Sequence, residues 1–384
     1  VNDTLTAFAQ AKIDELEARS LRRVLNPTHR VEGPWVERQG RRLLSFSCND
    51  YLNLSHHPEV KAAAIEAIET YGAGAGASRL VTGDHPLFSA LEARLAQLKG
   101  AEAACIFGSG YLANAGIIPT LVGPEDLILA DDLAHSSIWT GCRLSGATVV
   151  GFRHNDASDL ALRLTRHRGR ARRALVVTEG VFSMDGDIAP LDEISRHCQA
   201  LDAWLLVDDA HGLGVLGDDG AGVMRLFPGA RVDLAMGTLS KALGGYGAYV
   251  CAAAPVIDLI KTRARTVIYS TGLPPASVAA AIAALRVIAH EPERVAIPLR
   301  KAQRFTAALG LAAAQSPIVP VMLGAAQTAL SAAEDLSRQG FLAVAIRPPT
   351  VPAGTSRLRL AFTAAHSDRD IERLAEAVRP WLIR

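Results

Sequence analysis

Seven short apolar runs, most of them separated by helix-forming stretches, constrain the fold of this chain more than any other feature. They read ACIFG, DLILA, ATVVGF, ALVVTEG, AWLLVDD, VDLAMG and GAYVCA, between residues 104 and 252. A half-buried strand alternates apolar and polar residues; these runs do not, so both of their faces must be covered. Segments such as PEVKAAAIEAIETYG and PLFSALEARLAQLKG space their apolar residues for helices that can supply the cover. The expectation is an α/β fold with a mainly parallel sheet between layers of helices. Ligands of such sheets bind beyond the carboxyl ends of the strands, so the polar residues closing these runs are the functional candidates.

After about residue 285 the pattern changes to helices over 277–290, 292–309, 326–339 and 367–381, with shorter strands near IVPVML, LAVAI and RLRLAF. A chain of 384 residues exceeds the size of one hydrophobic core. The expected division is an N-terminal helix and arm (1–50) packing with the small domain, a large domain (51–285), and a small C-terminal α/β domain (286–384). RPPTVPAGT (347–355) reads as a stiff proline loop. YGAGAGASRL (71–80) mimics a dinucleotide fingerprint but follows a helix instead of a strand, the wrong context for one.

The composition narrows the function classes. A net charge of +1 argues against electrostatic binding to nucleic acid or an anionic membrane. The basic run RHRGRARRAL (166–175) reads as a helix end and loop leading into a strand. The five cysteines are scattered without a C-x-x-C pair, which fits neither a disulfide framework nor a zinc site and suits a reducing cytoplasm. The N-terminus carries acids through its apolar periodicity, as an amphipathic helix does and a signal peptide does not. No apolar run approaches the ~20 residues that span a bilayer. The expectation is a cytosolic protein.

The strand ends hold reactive residues. VDDAHG (207–212) carries Asp208, Asp209 and His211; ADDLAHSS (130–137) carries Asp131, Asp132 and His135; VTEGVFSMDGD (177–187) carries Glu179, Ser183 and Asp185. FGSGYLAN (107–114) is a strand, a glycine turn and a helix start, whose free amides suit a phosphate. GTLSKALGGYGAYV (237–250) sets Lys241 among glycines with no charged neighbour, in an order that is not a P-loop. These glycines allow tight turns and the close approach of something bulky.

Two classes of function compete for these residues. A metal-dependent hydrolase would use the acid and histidine clusters as ligands, but they lack a recognised metal spacing, and Lys241 stays unexplained. A pyridoxal 5'-phosphate enzyme needs a lysine for the Schiff base, a carboxylate for the pyridine nitrogen and donors for the phosphate. Lys241, Asp208 and the helix start at Gly110 supply all three at strand ends, which favours the second class.

The segments SFSCNDYLNLSHHPEV, GAGAGASRLVTGDHPLFSALEARLA, DDLAHSS, VTEGVFSMDGDIAPL, VDDAHGLGVLG, GTLSKALGGYGA, YSTGLPP and AIRPPTVPAGTSRLRL together resemble the α-oxoamine synthases. These are fold-type I pyridoxal phosphate enzymes that condense an amino acid with an acyl thioester. The likeness runs in order from about Arg22 to the last helix. It implies Lys241 as the Schiff-base lysine, with the neighbouring glycines leaving room for cofactor and substrate. It implies Asp208 as the partner of the ring nitrogen, although Asp209 beside it stays open. His211 and Ser183 would meet the ring's phenolic edge, and His135 would stack on its face and meet the thioester carbonyl. Gly110, Tyr111 and Thr238 would hold the phosphate. Ser270 and Thr271 would come from a neighbouring subunit, which implies a homodimer with shared sites. Asn49, Arg347 and Arg359 would face the amino acid and its carboxylate, and Arg23 and Thr350 the acyl tail. The implied substrates are L-alanine and a pimeloyl thioester, with no metal; the alternative within the family is the 2-amino-3-oxobutyrate ligase reaction. His56, His57, His85 and His154 read as structural or surface residues.

Overall fold

The structure is a computed structural model that describes residues 4–382. Near the N-terminus β1 (His29–Arg30), β2 (Trp35–Arg38) and β3 (Arg41–Ser45) form antiparallel hairpins. A seven-stranded sheet follows from β4 (Ala103–Phe107), β5 (Leu127–Asp131), β6 (Thr148–Phe152), β7 (Ala174–Glu179), β8 (Trp204–Asp208), β9 (Leu234–Thr238) and β10 (Ala248–Ala252). Each of these strands falls on one of the apolar runs. A third sheet uses β11 (Ile318–Gly324), β13 (Val344–Ile346) and β14 (Ser356–Ala361), while β12 (Phe341–Leu342) pairs in parallel with β3.

The strand order of the large sheet is β4-β10-β9-β8-β7-β5-β6, and only the pairings of β10 are antiparallel. Successive side chains leave opposite faces of a strand. Leu127 and Leu129 of β5 therefore enter one core, and Ile128 and Ala130 the other. That is why no polar residue interrupts the run. A separate core around Phe305, Leu358, Phe362 and Leu374 holds the C-terminal sheet to its helices.

Two expectations change. The N-terminal helix forms over Leu5–Ala18, with the Thr4 hydroxyl accepting from the Ala7 amide at 3.2 Å, yet it buries none of its residues. The first 50 residues are tied to the C-terminal part by the pairing of β3 with Phe341 and Leu342 and by side-chain bonds such as Arg41 to the Ser337 carbonyl. Residue 285 lies inside the continuous helix Pro275–His290, so we propose that the small unit begins after His290. No helix among the described residues is long and apolar enough to cross a membrane.

The topology sets the functional edge. β9, β8, β7 and β5 are successive neighbours and end at Thr238, Asp208, Glu179 and Asp131. Glu179 stands opposite Asp208 in the ladder, and Asp208 opposite Met236.

Candidate active site

Lys241 sits in the hairpin between β9 and β10, where the Leu239 amide donates to the Gly247 carbonyl at 2.9 Å and the Gly244 amide to the Lys241 carbonyl at 2.8 Å. Gly244 and Gly247 have φ of +66° and +118°, conformations that a side chain resists. A Cβ on Gly244 would lie 2.2 Å from the Ser55 amide nitrogen, and one on Gly237 would lie 2.5 Å from the Tyr249 hydroxyl. These glycines thus pack against the chain itself; the expectation that they leave room for ligands is corrected. Their effect is to hold the hairpin so that Lys241 lines a cavity at the strand ends. Among the described residues the Lys241 amine has no hydrogen bond or ion pair. Burial pulls its pKa below the ordinary lysine value, against the opposing charges of Asp208 and Glu179.

The cavity measures about 190 Å³, and Gly110, Tyr111, His135, Asp208, His211 and Thr238 line it with Lys241. Asp208 is held on both oxygens: Oδ2 accepts from Asn114 Nδ2 at 2.8 Å, and Oδ1 from the Ala210 amide at 3.1 Å. Asp209 turns away, pairing with the buried Lys99 at 2.7 Å and accepting from the Val223 amide at 3.2 Å. Of the two adjacent acids left open in the sequence, Asp208 is the one that faces the cavity. The helix Gly110–Leu121 begins at the cavity wall, with Ser109 Oγ accepting from the Leu112 amide at 3.2 Å. First-turn amides have no partner inside their own helix and attract anions. The Thr238 hydroxyl, at the end of β9, donates to the Gly247 carbonyl at 2.9 Å and accepts from the Ser240 amide at 3.2 Å.

The histidines are placed by residues that pattern reading missed. The His135 amide donates to Glu179 Oε1 at 2.7 Å, and His135 Nδ1 accepts from the Ser137 amide at 3.2 Å. Burial lowers the pKa of His135, which keeps the ring neutral with its proton on Nε2. Burial, reinforced by the Asp208 charge, raises the Glu179 carboxyl well above the carboxylate range. Tyr51 OH lies 2.7 Å from His211 Nδ1, and burial holds that imidazole well below its usual pKa. Asn114 was within reach of the sequence, standing four residues after Gly110 and so on the same helix face. Glu179 carried a visible signal, an acid at a strand end, but no role. Tyr51, set among Asn49, Asp50, Leu52 and Asn53, gave none.

A second cavity, of about 690 Å³, adjoins the first through His135 and is lined by Arg23, Ser183, Asp185, Thr350 and the proline loop. Ser183 thus belongs to this cavity and not to the one around Lys241, as had been expected. Arg23 and Thr350 meet here across 327 residues of chain, with Nη2 donating to Oγ1 at 2.8 Å. Arg359 is buried; it donates to the Ser183 carbonyl and, at 3.0 Å, to Asn49 Oδ1, and among the described residues it pairs with no carboxylate. Arg347 lines neither cavity; it donates to the Ser20 carbonyl and faces a third hollow that shares Arg23, Pro348 and Thr350 with the second cavity. Ser270 and Thr271 also stand outside both cavities, beside Gly108 and Arg79.

The aminotransferase class I and II family matches residues 41–378. The chain belongs to that family. An 8-amino-7-oxononanoate synthase from Beijerinckia indica subsp. indica is 60% identical over 381 residues, covering 99% of this chain and 98% of its own. A variant of serine palmitoyltransferase from S. paucimobilis with bound PLP–myriocin aldimine superimposes with a TM-score of 0.92 at 31% identity, over 100% of both chains. The 8-amino-7-oxononanoate synthase from Francisella tularensis gives 0.74 at 28%, over 88% of this chain and 97% of its own. The chain is accordingly a fold-type I, pyridoxal phosphate-dependent α-oxoamine synthase, an enzyme that transfers an acyl group to carbon. Fold likeness does not separate the acyl donors, since the palmitoyltransferase superimposes more closely than the synthase.

The residues present fit the cofactor. A half-buried lysine whose amine has no partner, an oriented carboxylate, free helix-start amides and neutral imidazoles converge on one cavity. The acids of the metal-hydrolase reading are engaged elsewhere. Asp209 pairs with Lys99, and Asp131 pairs with His154 at 3.0 Å. Burial opposes charge on His154, but its hydrogen bonds to Asp131 and Asp187 prevail and lift it to about 10. Among the described residues no group of three or more His, Cys, Asp or Glu is placed to hold a metal.

Proposed function

We propose that this chain joins L-alanine to a pimeloyl thioester, carried on coenzyme A or acyl-carrier protein, to make 8-amino-7-oxononanoate for biotin synthesis in the cytoplasm. The observation that carries the choice of acyl group is the meeting of Arg23 and Thr350 in the cavity that shares His135 with the Lys241 site. A pimeloyl chain ends in a carboxylate, which a guanidinium can bind bidentately; acetyl and fatty chains offer no such group. The names of the full-length relatives support the same reading.

Bound pyridoxal phosphate supplies an electron sink that lets an amino acid lose its Cα proton. Lys241 would hold it covalently, Gly110, Tyr111 and Thr238 would bind its phosphate, and Asp208 would keep its ring nitrogen protonated. His211 would donate to the phenolic oxygen. Arg359, a buried cation without a carboxylate, holds the alanine carboxylate together with Asn49. The Lys241 amine, its pKa lowered by burial, takes the Cα proton. His135 Nε2–H, in the wall common to both cavities, meets the thioester carbonyl. The new bond joins alanine Cα to the carbonyl carbon and the thiol departs. Carbon dioxide leaves from the former alanine carboxyl, and Cα regains a proton.

Product analysis with alanine, glycine and serine against pimeloyl, acetyl and palmitoyl thioesters tests this assignment. Alanine with pimeloyl should be the best pair. Acetyl with glycine as the best pair would make the chain an amino-oxobutyrate ligase instead. Arg23→Ala should weaken use of pimeloyl thioester by about tenfold to a hundredfold, the scale of one charged hydrogen bond, and leave alanine Cα–H exchange intact. An unchanged kcat/KM for pimeloyl thioester would remove Arg23 from the site.

The active unit is a homodimer in this reading, with Ser270 and Thr271 lent to the partner's cofactor. Thr271 bridges to Ser78, and the neighbouring Leu80, Val81 and Tyr269 are exposed apolar residues, as an interface would require. Mixing Lys241→Ala with a chain altered at both Ser270 and Thr271 should restore activity through hybrid dimers with one sound site. No recovery after verified subunit exchange would mean that each site is built from one chain.

A further inference from the structure

We propose that Tyr51 is a positioning residue whose hydroxyl fixes His211 as the tautomer protonated on Nε2 and ties that choice to Arg359. The inference rests on the reading above, in which His211 faces the cofactor and Arg359 the substrate carboxylate. Tyr51 is completely buried, and three groups surround its oxygen: His211 Nδ1 at 2.7 Å, Asn49 Oδ1 at 3.3 Å and Arg359 Nη2 at 3.5 Å. A phenol has one proton to give, and a guanidinium can only donate. Arg359 therefore approaches a lone pair, and the proton goes to either His211 or Asn49. Asn49 Oδ1 already accepts from Arg359 Nη1 at 3.0 Å, and the His211 contact is much the shorter. Tyr51 thus donates to Nδ1.

His211 stays neutral because burial, and then the charges of Lys241, Arg359 and His135, oppose its protonation. A neutral ring that accepts at Nδ1 carries its proton on Nε2. Among the described residues Nε2 has no protein partner, and the ring lines the Lys241 cavity, so a donor of fixed orientation is presented there. One oxygen consequently connects the group that meets the amino acid to the group that meets the cofactor. Removing it leaves Nδ1 buried without a donor and frees the ring to exchange tautomers. It also takes one of the three contacts from Arg359.

The test uses protein labelled with ¹⁵N-histidine, purified without cofactor, and long-range ¹H–¹⁵N spectra, with His211 assigned by the signal lost in His211→Asn. The wild type should show a bare Nδ1 and a protonated Nε2 from about pH 6 to about pH 8. Tyr51→Phe, which keeps the ring in its packing, should show a mixture of tautomers. In the holoenzyme it should raise KM for the amino acid by roughly tenfold, the scale of one hydrogen bond, and shift the pH titration of the cofactor's visible absorbance. A wild-type Nδ1–H, or an unchanged single tautomer in Tyr51→Phe, overturns the proposal. The wild-type spectrum decides even if the variant does not fold. Because the spectra need no substrate, a failure of the alanine and pimeloyl assignment would be seen separately.

Discussion

Lys241→Ala should lower turnover by about 10⁴-fold, the upper end of what a positioned general base contributes, and should remove covalent attachment of the cofactor. The same change should make the cofactor-free protein more stable at neutral pH, by on the order of 1 kcal/mol. Lys241 is half-buried, its amine has no partner among the described residues, and its folded pKa lies below the unfolded value. Between those two values the unfolded chain binds more protons than the folded one, so wild-type stability rises with pH across that window. Below the window the full penalty for burying the ammonium is present. The advantage of the alanine variant should therefore be greatest at neutral pH and fade towards about pH 10.4, where a free lysine also loses its proton. Thermal melts of both cofactor-free proteins across that range measure it. A wild type as stable as the variant at neutral pH would mean that Lys241 has a partner in solution.

Asp208→Asn should cut exchange of the alanine Cα proton by roughly 10³-fold while some cofactor is retained, because a neutral amide no longer holds the ring nitrogen protonated. Asp209→Asn should behave quite differently. It would strand Lys99 as a buried charge, at a cost of about 3–5 kcal/mol of stability, and any loss of exchange should follow the loss of folded protein. Exchange in deuterated buffer, followed by NMR and normalised to folded protein, separates the two. Near-normal exchange in Asp208→Asn would overturn the assignment of that acid.

The large sheet was legible because its strands, apart from the edge strand β6, are buried on both faces, which makes their runs continuous and apolar. The site was legible where reactive residues close those runs, as Asp208, Glu179 and Thr238 do. What the residues did not disclose are contacts between distant segments. Asp208 and Asp209 have the same chemistry in the sequence, and only the strand's alternation sends one to the cavity and the other to Lys99. Tyr51 stands between Asp50 and Leu52 with no motif of its own, and its contact with His211, 160 residues away, appears only in the fold. Arg347 and Arg359 flank one proline loop, yet the first turns to the Ser20 carbonyl and the second to Asn49. The N-terminal helix shows the opposite limit. Its periodicity describes a helix with an apolar side but not what that side meets, and among the described residues none of the helix is buried.

We propose the cavity around Lys241 as the cofactor site of this α-oxoamine synthase. Borohydride reduction of the purified protein, followed by peptide mass spectrometry, tests it most directly. The account predicts one pyridoxyl phosphate group per chain, on the peptide containing Lys241, and no label in Lys241→Ala. A label on any other lysine, or bound metal with no label at all, would contradict it.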